Sequence, residues 1–499
     1  MEYFTCQLPQ SSIQPAAISP PFPARAAGAI RGLPAIAQQL DYRVPVHHHV
    51  VRAHRYRACT LALLLFVSAL SPRIASAIPS FARQTGMPCS QCHTLSFGPA
   101  LTAYGRQFKL NGYAFGEGEH PLPIALMVQG GFSHTDTALP VAPAAHFSTN
   151  DNFSVDQVSA FYGGRITEHS GAFVQVTYSG VDRHTSWDNL DVRYARAITF
   201  GGTDALVGVS LNNNPTVQDL WNSTPAWGFP YISSPLVPGA SAATLTEGGL
   251  AQTVLGATAY AMIHEHVYLE AGLYRNLSDH WLSNVGLTAA ANAHINGAAP
   301  YWRALYQIPG ETHYFSFGTF GLQAKLQPDT AVPDTNRYTD VGFDATYQYV
   351  AGAASAVTAN ASYIHEDQNL TAAFNAGGAG STSNHLNTLR LDASYTYNQT
   401  WSAGAGVFDI TGGSDATLYA PGQFSGSANG SPDTRGYTLQ LECVPLGKKS
   451  SWAAPWVNIR VGVQYTGFVR FNGGTSNYDG AGRSASQNNS LFLFYWMAF

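Results

Sequence analysis

From residue 122 to the end, apolar and polar residues alternate in segments of about ten, the signature of strands with one apolar and one wet face, because successive side chains point to opposite faces. In YTDVGFDATYQYV, Val341, Phe343, Ala345, Tyr347 and Tyr349 fall on one face, and Asp340, Gly342, Asp344, Thr346 and Gln348 on the other. TLRLDASYTY repeats the pattern, with Leu389, Leu391, Ala393, Tyr395 and Tyr397 opposite Arg390, Asp392, Ser394 and Thr396. VNIRVGVQY does the same around Asn458, Arg460 and Gln464. The pattern predicts sixteen strands, over 122–134, 154–165, 169–180, 189–200, 204–212, 251–263, 266–276, 300–309, 312–326, 338–350, 356–367, 386–398, 401–410, 434–444, 454–467 and 488–499.

Long connections at 213–250, 277–299, 411–433 and 468–487 are separated by mostly tight ones such as 201–203, 264–265 and 310–311. An even strand count with this asymmetry describes an all-β fold, a transmembrane outer-membrane β-barrel of about 16 antiparallel strands with both termini in the periplasm. A soluble β-sandwich or solenoid is the competing fold, but it has no need of strand faces so consistently apolar, with Tyr and Phe near their ends. In the final LFLFYWMAF, Leu491, Leu493, Tyr495, Met497 and Phe499 share a face. This resembles the terminal strand by which bacterial outer-membrane barrels are recognised for insertion.

Composition agrees: 12% of residues are aromatic and only 11% charged, and no stretch after Leu70 reaches the roughly 20 apolar residues of a membrane helix. Upstream, Arg52, Arg55 and Arg57 precede the apolar run Leu61 to Leu70 and the small-residue site Ala75-Ser76-Ala77. This is a secretory signal peptide, with Ile78 the expected mature N-terminus. The first fifty residues, including His47-His48-His49, are expected to reflect a start assigned upstream of the true one near Val50 or Val51, with a real leader extension as the alternative; the histidines have metal-binding chemistry but are expected to be discarded or untranslated. Without residues 1–77 the chain holds 18 basic and 28 acidic residues, net −10. That balance argues against nucleic acid as a partner.

The five cysteines, Cys6, Cys59, Cys89, Cys92 and Cys443, are too few and scattered for a disulfide framework. Cys443 shares parity with Leu439 and Leu441 and is expected to face lipid as an inert thiol. Cys89 and Cys92 belong to CSQCH. In a C-x-x-C-H the two thiols add to the vinyl groups of a haem and the adjacent histidine binds its iron. A thioredoxin-like redox pair would want a βαβ context, and a zinc site would want two further ligands. The motif therefore assigns Cys89 and Cys92 as the thioether anchors of one haem c and His93 as its proximal axial ligand.

Residues 78–121 form the expected cytochrome segment, ahead of a barrel over 122–499. So short a segment cannot bury a haem alone, so it is expected to plug the lumen or cap its periplasmic mouth. Candidates for the sixth ligand are Met127, whose parity with Ala125 and Gln129 sets it toward the lumen, and His120 in the linker EGEHPLP; His134 falls on the lipid parity. Arg83, Arg106 and Lys109 are candidate partners for haem propionates.

FARQTGMPCSQCH followed by YGRQFKLNGY, after a secretory leader and before a barrel, resembles the fused outer-membrane cytochrome–porins, a family that includes the iron oxidases of iron-oxidising bacteria. The resemblance implies that extracellular Fe(II) gives up its electron at the cell surface and that the electron reaches a periplasmic c-type cytochrome or copper protein. It leaves open another external donor or acceptor, and a diffusion porin whose haem does not conduct. No catalytic residue is assigned. Asp182, His184 and Asp188, or Asp279 with His280, carry the oxygen and imidazole chemistry of an iron site but read first as solvated loop.

Overall fold

The computed structural model describes residues 79–116, 123–287, 294–328, 333–352, 355–421, 426–454 and 456–499. The leader, its signal peptide and His120 lie outside the described residues. Three short helices come first, α1 (Pro79–Thr85), α2 (Cys89–Cys92) and α3 (Ala103–Leu110). Sixteen long strands follow. They are β1 (Ile124–Thr135), β2 (Asn152–Thr167), β3 (Ser170–Ser179), β4 (His184–Phe200), β5 (Thr203–Asn212), β6 (Val254–Ile263), β7 (Val267–Asn276) and β8 (Ala299–Ile308). The second half comprises β9 (His313–Gln327), β10 (Asn336–Ala351), β11 (Ser355–Asn369), β12 (Ser383–Tyr397), β13 (Trp401–Gly412), β14 (Thr434–Cys443), β15 (Asn458–Arg470) and β16 (Ser490–Ala498). A two-residue strand, His294–Ile295, adds to the end of β9.

Each strand pairs antiparallel with its sequence neighbours, and β1 also pairs with β16, from Met127 opposite Ala498 to Thr135 opposite Ser490. The sheet therefore closes on itself and has no edge, which satisfies every ladder group without water. All sixteen strands expected from alternation are present. The largest shifts are at the start of β4, which reaches back to His184, and of β15, which begins at Asn458 rather than 454.

The faces are distributed as in a membrane barrel. In β10, Asp340, Asp344, Thr346 and Gln348 are buried inward, while Phe343 is 55% exposed on the outside. Phe153, Leu273, Phe317, Val407 and Leu441 also stand outside, whereas Asp191, Arg193, Arg303, Arg460 and Glu442 are enclosed. A water-soluble protein buries the opposite set. The chain is an outer-membrane β-barrel with the porin-like plan of a polar interior and an apolar outer band. The turns at 168–169, 201–202 and 264–266 share an end with the C-terminus and are periplasmic; the long loops lie at the extracellular end.

One expectation needs correction. Residues 213–253 are not simply an outer loop, since they fold into the lumen, with Val217, Leu220 and Ile232 each 1% exposed. The Asp219 carboxylate accepts N–H bonds from Ser223 (3.0 Å) and Thr224 (3.2 Å), and pairs with Arg303 at 3.1 Å. Arg303 in turn pairs with Asp344 of β10 at 2.9 Å. At the far end, Leu245 N–H donates to Glu366 (2.6 Å), Thr246 N–H to Asp340 (2.8 Å) and Arg390 pairs with Glu247 (2.8 Å). Wall charges thus satisfy the backbone of a loop that has left water, as buried polar groups require.

Candidate functional site

The CSQCH turn is built by local backbone bonds. Pro88 enters it at φ −69°, and His93 N–H donates to Cys89 O at 2.9 Å. His93 then leaves the helix in an extended conformation and pairs with Leu101 in an antiparallel bridge. Thr102 ties the turn to α3, its N–H donating to Cys92 O at 2.9 Å while its Oγ1 accepts Gly105 N–H at 3.2 Å. The two helices touch at Gly105, where an added Cβ would lie 2.3 Å from Cys92 O. Overpacking at such a contact costs about 1–3 kcal/mol. Gly105→Ala is therefore expected to push α3 off the turn, read as faster proteolysis within residues 79–116 while the barrel keeps its heat-modifiable mobility on gels.

Aromatic packing makes the segment a plug. Phe81 packs edge-on against Phe108 with centroids 5.0 Å apart and stacks on Tyr113 at 5.3 Å. Side chains then fasten it to the wall. Tyr113 Oη donates to Asp191 at 2.6 Å, and Asp191 also pairs with Arg193 at 2.8 Å. Ser96 Oγ donates to Gln399 O at 2.7 Å, and Asn458 Nδ2 to Ser96 O at 2.8 Å.

The basic residues considered for propionates are taken up in this fastening. Arg106 donates to Gln348 Oε1 at 2.7 Å and to Leu101 O at 3.0 Å, its guanidinium 3.8 Å from the Tyr314 ring centroid. Lys109 lines the cavity described next, but its Nζ donates to Val217 O (2.8 Å) and Asp219 O (2.5 Å) of the infolded loop. Arg83 donates to Ile124 O and lies over Trp456.

Between plug and wall lies a cavity, partly open to solvent, lined by Cys89, Cys92, His93 and Met127 together with Phe97 and Trp496. Met127 is 3% exposed, on the inward face of β1 as parity predicts, and Gln129 Nε2 sits 3.6 Å from its Sδ. At this cavity the buried Trp496 Nε1 has no hydrogen-bond partner among the described residues, and the buried His93 ring has only the Gly98 backbone beside it. A buried polar atom left in that state calls for an explanation. Burial holds the His93 imidazole down to about 4, the nearby Gly98 backbone opposing and the Arg460 charge adding. The ring is therefore neutral at ordinary pH, the form that ligates a metal. Burial, with Cys89 adding, pushes the Cys92 thiol up to about 12. Adjacent thiols, a neutral imidazole, an apolar enclosure and a thioether on the facing wall together fit a haem c.

Sequence reasoning missed the far wall of the cavity. Phe492, Phe494, Trp496 and Ala498 of β16 point inward, with Phe97 edge-on to Trp496 at 5.0 Å. The signal was available, because LFLFYWMAF is apolar on both parities and an apolar inner face demands something apolar to cover it.

The loop residues considered for iron are not brought together. Asp188 is buried and accepts from Thr177 Oγ1 at 2.6 Å, His184 contacts Gly286 O, and Asp182 accepts from Ser179 at 2.8 Å. Asp279 pairs with His294 at 3.5 Å, while His280 contacts Asn284 at 3.2 Å. Among the described residues no three His, Cys, Asp or Glu side chains cluster as metal ligands. On the extracellular side, a separate vestibule is lined by Phe229, Arg390, Asp392, Thr438 and Gln464.

No protein-family model matches the chain, and no curated protein does. Among solved structures the chain is similar to an anion-selective porin from Comamonas acidovorans, at 11% identity over 75% of this chain and 98% of that one, with a TM-score of 0.42. It is also similar to Salmonella typhi OmpF in complex with daunomycin, at 13% identity over 75% and 97% of the two chains, TM-score 0.41. A third is the outer membrane channel DcaP of Acinetobacter baumannii, at 10% identity over 75% and 96%, TM-score 0.41.

Proposed function

We propose that this barrel holds one covalently attached haem c on its plug and relays electrons across the outer membrane, from extracellular Fe(II) to a soluble periplasmic carrier. The observation that carries the reading is the cavity itself, where Cys89, Cys92 and His93 open onto an apolar space with Met127 among its walls. Cys89 and Cys92 would anchor the haem covalently, and His93 and Met127 would ligate its iron, with Gln129 Nε2 beside the thioether. Bound there, a haem c supplies one-electron redox chemistry, and a Met/His ligand pair raises its potential, as an acceptor from a weak reductant requires. The surrounding residues exclude water with aromatic rings and fix the plug to the wall.

The test is anaerobic. The detergent-solubilised holoprotein is mixed with Fe(II) and its absorption bands are followed. Rapid reduction by Fe(II) is expected. In Met127→Leu, the same bands are expected to shift toward a lower-coordinate spectrum and the midpoint potential to fall. A wild-type protein reduced by dithionite but not by Fe(II), from acidic to neutral pH, would sink Fe(II) as the donor.

A second reading, a diffusion channel whose haem does not conduct, has the extracellular vestibule in its favour. Against it stands the plugging of the lumen from both ends, by residues 79–116 and by residues 213–253, which meet where Asn222 Nδ2 donates to Pro99 O at 2.6 Å.

A further inference from the structure

One periplasmic connection departs from the others. Six are two to four residues long, whereas β14 and β15 are separated by residues 444–457. This longer connection is drawn inward, across the mouth of the lumen. Val444 is fully buried in the core that contains Leu95, Phe97 and Trp496. Gly447 lies so close to the plug that an added Cβ would be 2.4 Å from Ser96 Cβ. Arg83 of α1 stands 4.9 Å from the Trp456 ring centroid. The connection therefore borders the CSQCH segment on two sides.

Its tip presents Lys448, Lys449 and Trp452. Trp452 is 88% exposed, more than any other large apolar side chain among the described residues. Lysine is scarce in this chain, with only Lys109, Lys325, Lys448 and Lys449 in 499 residues. An adjacent pair is thus a local concentration of positive charge on a chain whose net charge is negative. An aromatic anchor beside a charged rim is the anatomy of a protein interface, and opposite charge on a partner speeds and orients encounter. Tryptophan and lysine also anchor proteins at a lipid interface; the inward course of the chain, toward the plug, favours a soluble partner.

We propose that residues 444–454 dock a soluble periplasmic electron carrier bearing an acidic face around an apolar patch. Trp452 seats in the patch, and Lys448 and Lys449 meet the acidic rim. The proposal rests on the electron-relay reading and adds the surface and the charge of the acceptor.

The probe is an acidic blue-copper protein, with a basic cytochrome c as its counterpart and the detergent-solubilised holoprotein as the donor. Binding of the oxidised partners is measured by calorimetry. Electron transfer is followed by stopped flow, one electron leaving the reduced chain and converting Cu(II) to Cu(I). At low salt, Lys448→Glu with Lys449→Glu is expected to weaken binding and slow transfer to the blue-copper protein by about tenfold, and to favour the basic cytochrome instead. Trp452→Ser is expected to weaken binding at every salt concentration. Reoxidation by a small neutral quinone is expected to stay unchanged in both variants, which shows that the path to the surface is intact. Unchanged affinity and salt dependence in the charge-reversed variant would overturn the proposal. So would a blue shift of Trp452 fluorescence in lipid nanodiscs with no response to the blue-copper protein. A wild-type protein that cannot be oxidised by the quinone would instead sink the relay reading, and the calorimetry would still decide the docking surface.

Discussion

Replacing Cys89 and Cys92 together by serine is expected to give a barrel that reaches the outer membrane folded and carries no covalent haem. The ladders from β1 through β16 close without either thiol, since every strand is paired by backbone. What the substitution removes is the pair of nucleophiles at the wall of the plug cavity. Haem staining of denaturing gels is expected to fall from a clear band to none, while heat-modifiable mobility is retained. His93→Ala would keep the thioethers and lose an axial ligand, so its stain should survive while its spectrum changes. A wild-type chain exported by cells competent in haem attachment that shows no stain would remove the cofactor from the proposal altogether.

Asp219→Ala is expected to turn a silent barrel into a conducting one. The side chains of Asp219 and Arg303 are both fully buried, at 3.1 Å. Asp219 also accepts from Ser223 and Thr224, so its loss leaves loop donors and a wall guanidinium short of partners at once. Removing one member of a buried pair costs about 3–5 kcal/mol. The near end of the infolded loop should let go, while Glu366, Asp340 and Arg390 keep hold of the far end. In planar bilayers the wild type is expected to show no stable channel steps, and Asp219→Ala to show them. Asp219→Asn, which keeps the shape and part of the hydrogen bonding, should lie between. Porin-sized steps in the wild type would favour the diffusion channel over the relay.

What could be read from the sequence follows from what leaves a local trace. The strands were legible because lipid outside and a polar interior impose a period of two on every segment, and β10 shows it residue by residue. The motif was legible because a C-x-x-C-H run has a fixed spacing that stands out in the sequence wherever it occurs. Met127 could be set toward the lumen by parity alone, and it lines the same cavity as His93. The infolded loop was not legible. Asp219, Ser223 and Thr224 look like solvated loop residues, and only Arg303 and Asp344, far along the chain, turn them into an interior clamp. For the same reason Arg106 and Lys109 suggested propionate partners when their hydrogen-bond partners were Gln348 and the carbonyls of residues 217 and 219. Long-range partners of single polar groups have no periodicity to announce them.

The enclosure of the plug also orders its biogenesis. Ser96 is bonded to Gln399 and Asn458, 303 and 362 residues further along, and Phe97 rests on Trp496 in the last strand. The part of the described chain that emerges first is walled in by the part that emerges last. Cys89 itself is 1% exposed, buried against Ala82 of α1 within the plug. The plug therefore reaches its final packing only when the last strand has closed the barrel.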